Sequence, residues 1–194
     1  TTDRKDGMKN TIAKIVLLTI AMVTTTATYA GPPQLNVLGL VAGVSTKANV
    51  NKTVSGIFTV GDSTGVYLEI GGHRILCVAE FRDNKLDMLA CATGENRNDP
   101  FKTKASNIQI YNDLKAGFTK KFGPPDLVES EPVRNALGVE FANESVIWVD
   151  ARGGALRLGA RKGKIDEGMI ALMSPEAIKQ GQEKKEAEEA KKKF

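Results

Sequence analysis

Alternating apolar and polar positions predict two groups of β-strands. In the first group, residues 65–70, 73–81 and 86–93 repeat with a period of two, which is the spacing of a strand with one buried side. A Gly71-Gly72 pair separates the first two stretches and favours a tight hairpin. The second group comprises residues 138–141, 145–150, 155–160 and 168–173, with a turn at Gly153-Gly154. Each group is therefore predicted to be an antiparallel meander.

A period between three and four predicts one strong helix. The helix begins at Ser106 or Asn107, and residues 123–125, Gly-Pro-Pro, end it because Gly favours a left-handed cap and Pro blocks continuation. Its apolar stripe consists of Tyr111, Leu114, Phe118 and Phe122.

Two less regular segments are also predicted to contain helices. Residues 35–41 form a short apolar strand or turn, after which Ser45 fits the N-cap of a helix to about residue 55. Near the end of the chain, Ser174 and Pro175 fit the start of a helix. From about Gln180 this helix becomes a Lys/Glu tract, which is typical of a solvated helix or a frayed tail.

These elements predict an α+β fold of two quasi-repeated α-β-β-β units, with antiparallel sheet and with helices packed on one face. The repeat lies in the order of the elements. The predicted organisation is an upstream remnant (1–7), a signal peptide (8–30), a first αβ unit (31–104), a second αβ unit (105–178) and a charged helical tail (179–194).

The N-terminal region has the layout of a cleavable secretory signal peptide. Residues 8–14 are basic, residues 15–23 are apolar, and a small residue, Ala30, ends the segment. The apolar run is shorter than the roughly 20 residues of a membrane-spanning helix. No Cys follows it directly, so we do not expect a lipid anchor. We predict cleavage after Ala30 and a periplasmic or secreted protein with no stable membrane span.

The charge balance argues against nucleic acid as the partner. The full chain carries 27 basic and 23 acidic residues. Four of the basic and two of the acidic residues precede residue 31, which leaves a net charge of +2 on the predicted mature chain. A nucleic-acid-binding surface usually requires a clustered basic face.

Export favours a disulfide between Cys77 and Cys91, because the compartment is oxidising. The two cysteines lie on predicted strands joined at residues 82–85. A three-residue loop places Cys77 opposite Cys91, whereas a two-residue loop (Asp83 and Asn84) places Cys77 opposite Ala90 and the thiols on different faces. The apolar alternation favours the second register and the compartment favours the first. We predict the disulfide, with a pair of buried thiols as the alternative.

Two short stretches resemble modules of exported bacterial proteins. Leu38-Gly39-Leu40, then Gly43-Val44-Ser45 and a short helix with Val54, resemble a small turn followed by a capped helix. Residues 120–125, Lys-Lys-Phe-Gly-Pro-Pro, resemble a pattern of aromatic-Gly-x-Pro that ends a helix. With the element order, these stretches resemble the β-lactamase-inhibitor-protein-like and SmpA/OmlA-like domains.

This resemblance implies a non-enzymatic, exported module that binds another protein on a sheet built from two αβ repeats. It implies no particular target. SmpA/OmlA proteins carry a lipid-bearing Cys that is absent here, and the inhibitor proteins use an aromatic-rich sheet face, whereas this chain has one Trp and three Tyr.

No catalytic or metal constellation is visible in the sequence. His73, the single histidine, follows a predicted turn and has no indicated group to orient it, so we expect an exposed polar residue. One His and two distant Cys do not make a zinc site. Asp150, Asp166 and Glu167 lack the ligand spacing of a calcium loop. No cofactor is predicted, and a pair of catalytic carboxylates stays open because its separation is a three-dimensional property.

A mixed face of the first meander is the predicted partner-binding surface. Arg74, Leu76, Val78 and Glu80 alternate with apolar residues that face the other way, and an antiparallel sheet can leave one face open to solvent.

Trp148 is a further candidate for this surface, and its position depends on the turn before it. A two-residue turn at 143–144 places Trp148 on a core face with Val139, Phe141 and Val146. A three-residue turn places it with Glu140 and Val146, where it could be an exposed anchor. Burial is favoured because large aromatic side chains are mostly buried.

Together these features predict an exported, non-enzymatic protein-interaction module, with another envelope or extracellular protein as its partner. The alternatives are a carboxylate-based periplasmic hydrolase and a small-ligand carrier with an apolar cavity between helices and sheet.

Overall fold

The computed structural model describes residues 34–54, 56–60, 63–94, 106–135, 137–161 and 165–191. The predicted signal peptide (8–30) and most of the polar segment predicted as a loop (94–104) lie outside the described residues.

The described residues form three helices and ten strands. The helices are α1 (Lys47–Thr53), α2 (Asn107–Phe122) and α3 (Pro175–Lys191). The strands are β1 (Gly56–Val60), β2 (Ser63–Ile70), β3 (His73–Arg82), β4 (Lys85–Gly94), β5 (Leu127–Ser130), β6 (Val133–Arg134), β7 (Glu140–Phe141), β8 (Glu144–Val149), β9 (Ala155–Gly159) and β10 (Glu167–Met173).

Eight strands form one antiparallel sheet in the order β1-β2-β3-β4-β10-β9-β8-β5, and β6 pairs with β7 in a small second sheet. The predicted α+β class with an antiparallel sheet is thus confirmed. The strands of the two predicted units join where β4 pairs with β10, from Met88↔Met173 to Gly94↔Glu167. The quasi-repeat itself stays a prediction.

The β3–β4 hairpin combines the two registers that the sequence left open. Its turn has two residues, Asp83 and Asn84, because Arg82 pairs with Lys85. A β-bulge then makes Asp87 the extra residue of β4, so that Cys77 still lies opposite Cys91. The two alternatives excluded each other only for a hairpin without a bulge.

The core lies between one face of the sheet and the helices α1 and α2. Val50 of α1 and three residues of the predicted stripe of α2 (Tyr111, Leu114 and Phe118) belong to the same buried cluster as the inward residues of the strands, and the fourth, Phe122, packs against it half-buried. The inward residues of the central strands are Ile75, Cys77, Ala79, Leu89, Cys91, Ile170, Leu172, Leu156 and Leu158. Helix α3 contributes no buried side chain and is anchored by its first turns.

The start of helix α1 and the segment before it differ in detail from the prediction. The N-cap of α1 is Thr46, whose hydroxyl accepts a hydrogen bond from the N–H of Asn49. Ser45, the predicted cap, instead accepts a hydrogen bond from the N–H of Val41 at 2.9 Å and stays buried. The predicted strand or turn at 35–41 is a tight turn closed by the bridge between Val37 and Leu40.

Trp148 lies in the core, so it is not part of an exposed binding surface. Its side chain is 1% exposed, its ring meets Phe118 edge-on, and its Nε1 donates to the carbonyl of Gly123 at 3.0 Å. Neither predicted turn at residues 143–144 occurs, because β7 pairs with β6 and β8 pairs with β5 and β9. The inward side of β8 is set by β9, which places Trp148 opposite Leu156.

Candidate functional site

The face of the sheet opposite α1 and α2 is the candidate functional site, and we call it the open face. It carries Tyr67 and Glu69 of β2, Arg74, Leu76, Val78 and Glu80 of β3, Met88, Ala90 and Ala92 of β4, Met169, Ala171 and Met173 of β10, Arg157 of β9, Ile147 and Val149 of β8, and Leu127 and Glu129 of β5. The larger side chains of this set are half-buried or exposed.

The centre of the open face is apolar. Leu76, Ala92 and Met169 form one cross-strand row, and Val78, Ala90 and Ala171 form the next. An open antiparallel face usually carries polar side chains, because it contacts water. A contiguous apolar patch on such a face is unusual for a surface that only water contacts, and patches of this kind are common at interaction sites.

Methionine is concentrated on the open face. Of the five methionines in the chain, the three that follow residue 30 are Met88, Met169 and Met173, and all three lie there. Met88 and Met173 are direct cross-strand partners. A Cβ at Gly159 would lie 3.0 Å from the Cγ of Met169, so glycine makes room for this side chain. Methionine adapts its shape to different partners, which suits a protein-binding surface.

The bulge at Asp87 positions three of these side chains. It lets Leu86 face the core while Met88, Ala90 and Ala92 face outward and Leu89 and Cys91 face inward. In a strand without the bulge, Leu86 and Met88 would share a face, since side chains alternate strictly.

Asp87 also fixes the start of α3. Its carboxylate accepts hydrogen bonds from Arg82 Nη2, at 2.6 Å, and from the hydroxyl of Ser174. Ser174 in turn caps α3 by accepting from the N–H of Ala177 at 3.0 Å. Arg82 Nη2 also donates to Gln180 Oε1 at 2.7 Å.

Charged residues surround the apolar centre of the open face. Glu69 and Arg74 are cross-strand partners at one margin, and the Arg74 guanidinium lies 5.1 Å from the centre of the Tyr67 ring. Towards β5, Arg157 Nη2 lies 2.7 Å from Glu129 Oε2. Protein–protein interfaces often combine an apolar centre with a polar or charged margin in this way.

The four predicted surface residues of β3 all lie on the open face: Arg74, Leu76, Val78 and Glu80. Sequence reasoning did not find the contributions of β4 and β10. For β4 the signal was hidden by the bulge, and for β10 the pairing with β4 is not apparent from the sequence.

His73 has a partner that the sequence did not reveal. Its side chain is 14% exposed, and its Nε2 lies 3.0 Å from Asp113 Oδ2 on α2. The expectation of an exposed turn residue was therefore wrong. An orienting carboxylate is one part of a catalytic triad. A triad also needs a nucleophile, and cysteine does not provide one here, because the two cysteines are bonded to each other.

Cys77 and Cys91 form a disulfide within the core, with Cα atoms 3.9 Å apart. They are direct cross-strand partners, and both are buried. Side chains of a pair without mutual backbone hydrogen bonds lie closest together in an antiparallel ladder, which allows a bond between adjacent strands.

Glu144 connects α2 to the sheet through two short hydrogen bonds. Tyr111 Oη and Lys115 Nζ both donate to its Oε1 at 2.5 Å. The hydrogen bonds from Lys115 and Tyr111 lower the pKa of Glu144. Burial and the bond to Glu144 raise the pKa of Tyr111. Both groups serve a structural connection in this arrangement.

Asp150 is buried and organises the turn between β8 and β9. Its carboxylate accepts from the N–H groups of Arg152 and Gly154, at 2.9 and 3.0 Å, and from Arg152 Nη2 at 2.9 Å. Burial opposes ionisation, but these hydrogen bonds outweigh it and lower the pKa of Asp150. Both carboxylate oxygens of Asp150 therefore accept hydrogen bonds from within the turn.

Among the described residues, no group of three or more His, Cys, Asp or Glu side chains could hold a metal ion. No helix in the described part of the chain combines the length and apolarity needed to cross a membrane. Comparison with protein families, curated proteins and solved structures gave no match.

Proposed function

We propose that this protein is an exported, non-enzymatic module that binds another envelope or extracellular protein through the open face of its sheet. The observation that carries the proposal is the apolar centre of that face, with Leu76, Val78 and the three methionines between charged margins. Water alone would favour polar side chains at these positions.

Export is part of the proposal. It is supported by the signal-peptide layout of residues 8–30 and by the Cys77–Cys91 disulfide, since stable disulfides occur mainly in oxidising compartments. The resemblance of residues 38–45 and 120–125 to β-lactamase-inhibitor-protein-like and SmpA/OmlA-like domains supports the same proposal.

A photo-crosslinking residue in place of Ala92 tests the binding surface directly. Ala92 is exposed and lies between Leu76 and Met169, so a partner on the open face would be within reach. We expect a discrete adduct with one protein in intact cells of the source organism. Leu76→Glu should reduce the adduct about tenfold, because it places a charge in the apolar centre.

Val44→Glu is the matched control, since Val44 is an exposed apolar residue (49%) on the segment before α1. It should leave the adduct unchanged. An absent adduct at Ala92, or equal loss in both variants, contradicts binding at the open face. Recovery of the whole protein from the cytoplasm with residues 8–30 still attached contradicts export.

A further inference from the structure

Strand β1 is one edge of the sheet, and some of its backbone N–H and C=O groups point away from the sheet. It is the first strand in the sheet order and pairs with β2 alone within the sheet. Ile70 and His73 flank the two-residue Gly71-Gly72 turn and therefore form a hydrogen-bonded pair. Every second residue of β2, counted back from Ile70, thus directs its backbone groups towards β3.

The remaining residues of β2 direct their backbone groups towards β1. Among them are Gly65 and Tyr67, whose partners are Phe58 and Gly56. The residues between and beyond these partners in β1 include Ile57 and Thr59. Their N–H and C=O groups therefore point away from the sheet, because successive residues of a strand bond to opposite sides.

Among the described residues, strand β1 has none of the features that usually protect an edge against pairing. Its five residues, Gly-Ile-Phe-Thr-Val, contain no charge and no Pro, and its register with β2 is continuous. The opposite edge, β5, has four residues, one of which is the ion-paired Glu129, and Pro132 follows shortly after it. β1 is thus the edge that is suited to accept another strand.

We propose that β1 pairs antiparallel with β1 of a second copy, which joins two sheets into one. A two-fold axis beside Phe58 places Ile57 of each copy opposite Thr59 of the other. These residues then exchange their outward N–H and C=O groups in four hydrogen bonds. Because the strand is uncharged, no like charges oppose each other across the axis, and the segment complements itself.

The symmetry of this pairing determines on which side of the joined sheet the open faces and the helices lie. The two-fold axis that relates antiparallel neighbours in a sheet is perpendicular to the sheet, so it keeps each face on its own side. The two open faces therefore lie side by side on one surface. Helices α1 and α2 of both copies lie on the other surface.

Ile57 and Val128 provide matched variants for a test. They occupy the two ends of the same cross-strand row, on opposite edges of the sheet, and are 52% and 53% exposed. In the proposed dimer, the two copies of Ile57 are diagonal neighbours, roughly 7–8 Å apart. Ile57→Lys therefore introduces repulsion at β1, whereas Val128→Lys adds the same charge at β5.

Sedimentation of the purified protein, expressed from its full sequence, tests the proposal. We expect a concentration-dependent dimer, an association constant reduced about tenfold or more by Ile57→Lys, and none of this loss with Val128→Lys. A mixture of Ile57→Lys and Ile57→Glu should dimerise again, because opposite charges then meet. Circular dichroism verifies that each variant is folded.

Thr59→Pro gives a second test, since it removes one outward N–H and leaves the pairing with β2 intact. It should also weaken the dimer, and in the parent the amides of Ile57 and Thr59 should exchange more slowly as concentration rises. A parent protein that stays monomeric at every concentration, or a dimer that Val128→Lys disrupts and Ile57→Lys does not, would overturn the proposal.

Discussion

At the scale of single residues, Glu144 shows how one carboxylate joins the helix layer to the sheet. It accepts from Tyr111 and Lys115 of α2 through one oxygen, while its own strand, β8, pairs with β5 and β9. The side chain is 39% exposed, so water screens part of the interaction. Its contribution is therefore modest and depends on ionisation.

The pKa of Glu144 predicts an acid-sensitive contribution to stability. Because the folded state lowers this pKa, the contribution is present above the unfolded value of about 4.3 and is lost as the pH falls through the folded value. Glu144→Gln should therefore be less stable than the parent at pH 7, by about 1 kcal/mol or less, and close to it near pH 3.

Urea unfolding at both pH values measures this difference. Glu183→Gln is the control, because Glu183 lies on the exposed part of α3, 3.9 Å from Lys179. An equal difference between parent and Glu144→Gln at the two pH values would show that the ionised form is not favoured by folding.

At the scale of elements, the bulged β3–β4 hairpin organises the molecule. The bulge at Asp87 decides which side chains of β4 face the core, aligns Cys77 with Cys91 and anchors α3 through Ser174. The disulfide then closes a short loop between adjacent strands. In the entropic account, such a loop stabilises the fold by reducing the freedom of the unfolded chain.

Replacing Cys77 and Cys91 with Ala should lower the free energy of unfolding by about 3 kcal/mol, the value for a loop of this length. Urea unfolding of the parent and the double variant measures the loss. Reductant should destabilise the parent and leave the double variant unchanged. Two free thiols in the denatured parent without reductant would show that the bond does not form.

The sequence predicts elements with a clear period and misses those without one. The stripe of α2 predicted a helix whose N-cap, Ser106, and C-cap, Gly123, lie where the sequence indicated. Edge strands β1 and β5 were not predicted; three of the four residues of β5 are exposed, so no regular buried side marks that strand. The bulge was also missed, since one extra residue breaks the alternation from which a register is inferred.

The candidate site was predictable only within one strand for the same reason. Alternation in β3 was sufficient to group Arg74, Leu76, Val78 and Glu80. The pairing of β4 with β10 joins distant segments, and no local pattern specifies it. The His73–Asp113 pair likewise depends on the packing of α2 against the hairpin turn, where Leu114 lies against Gly71.

At the scale of the whole molecule, the two faces of the sheet differ in burial: one packs against α1 and α2, and the open face is half-buried or exposed at its larger side chains. Leu89 of β4 is fully buried beneath the helices, whereas Leu76 of the neighbouring strand is half-buried on the open face. Removing methylene groups from a closed core leaves a cavity, whereas an open surface admits water in their place.

Leu89→Ala should therefore lower the free energy of unfolding by about 2–5 kcal/mol, and Leu76→Ala by about 1 kcal/mol or less. Chemical denaturation of the two variants beside the parent measures both values. Similar losses would mean that the open face is packed as tightly as the core, and would remove the basis for assigning it to a partner.

The pairing of β4 with β10 also has a consequence for the order of folding. Strands β2 to β4 meet through short turns, whereas β10 joins β4 from a distant part of the chain. Local hairpins close faster than distant pairs. We expect the hairpin with Cys77 and Cys91 to form and oxidise first, which pulse-labelled amide exchange would detect as protection in β3 before β10. Until β10 pairs with β4, the backbone groups on that side of β4 have no strand partner, and an unpaired edge of this kind can pair with other chains.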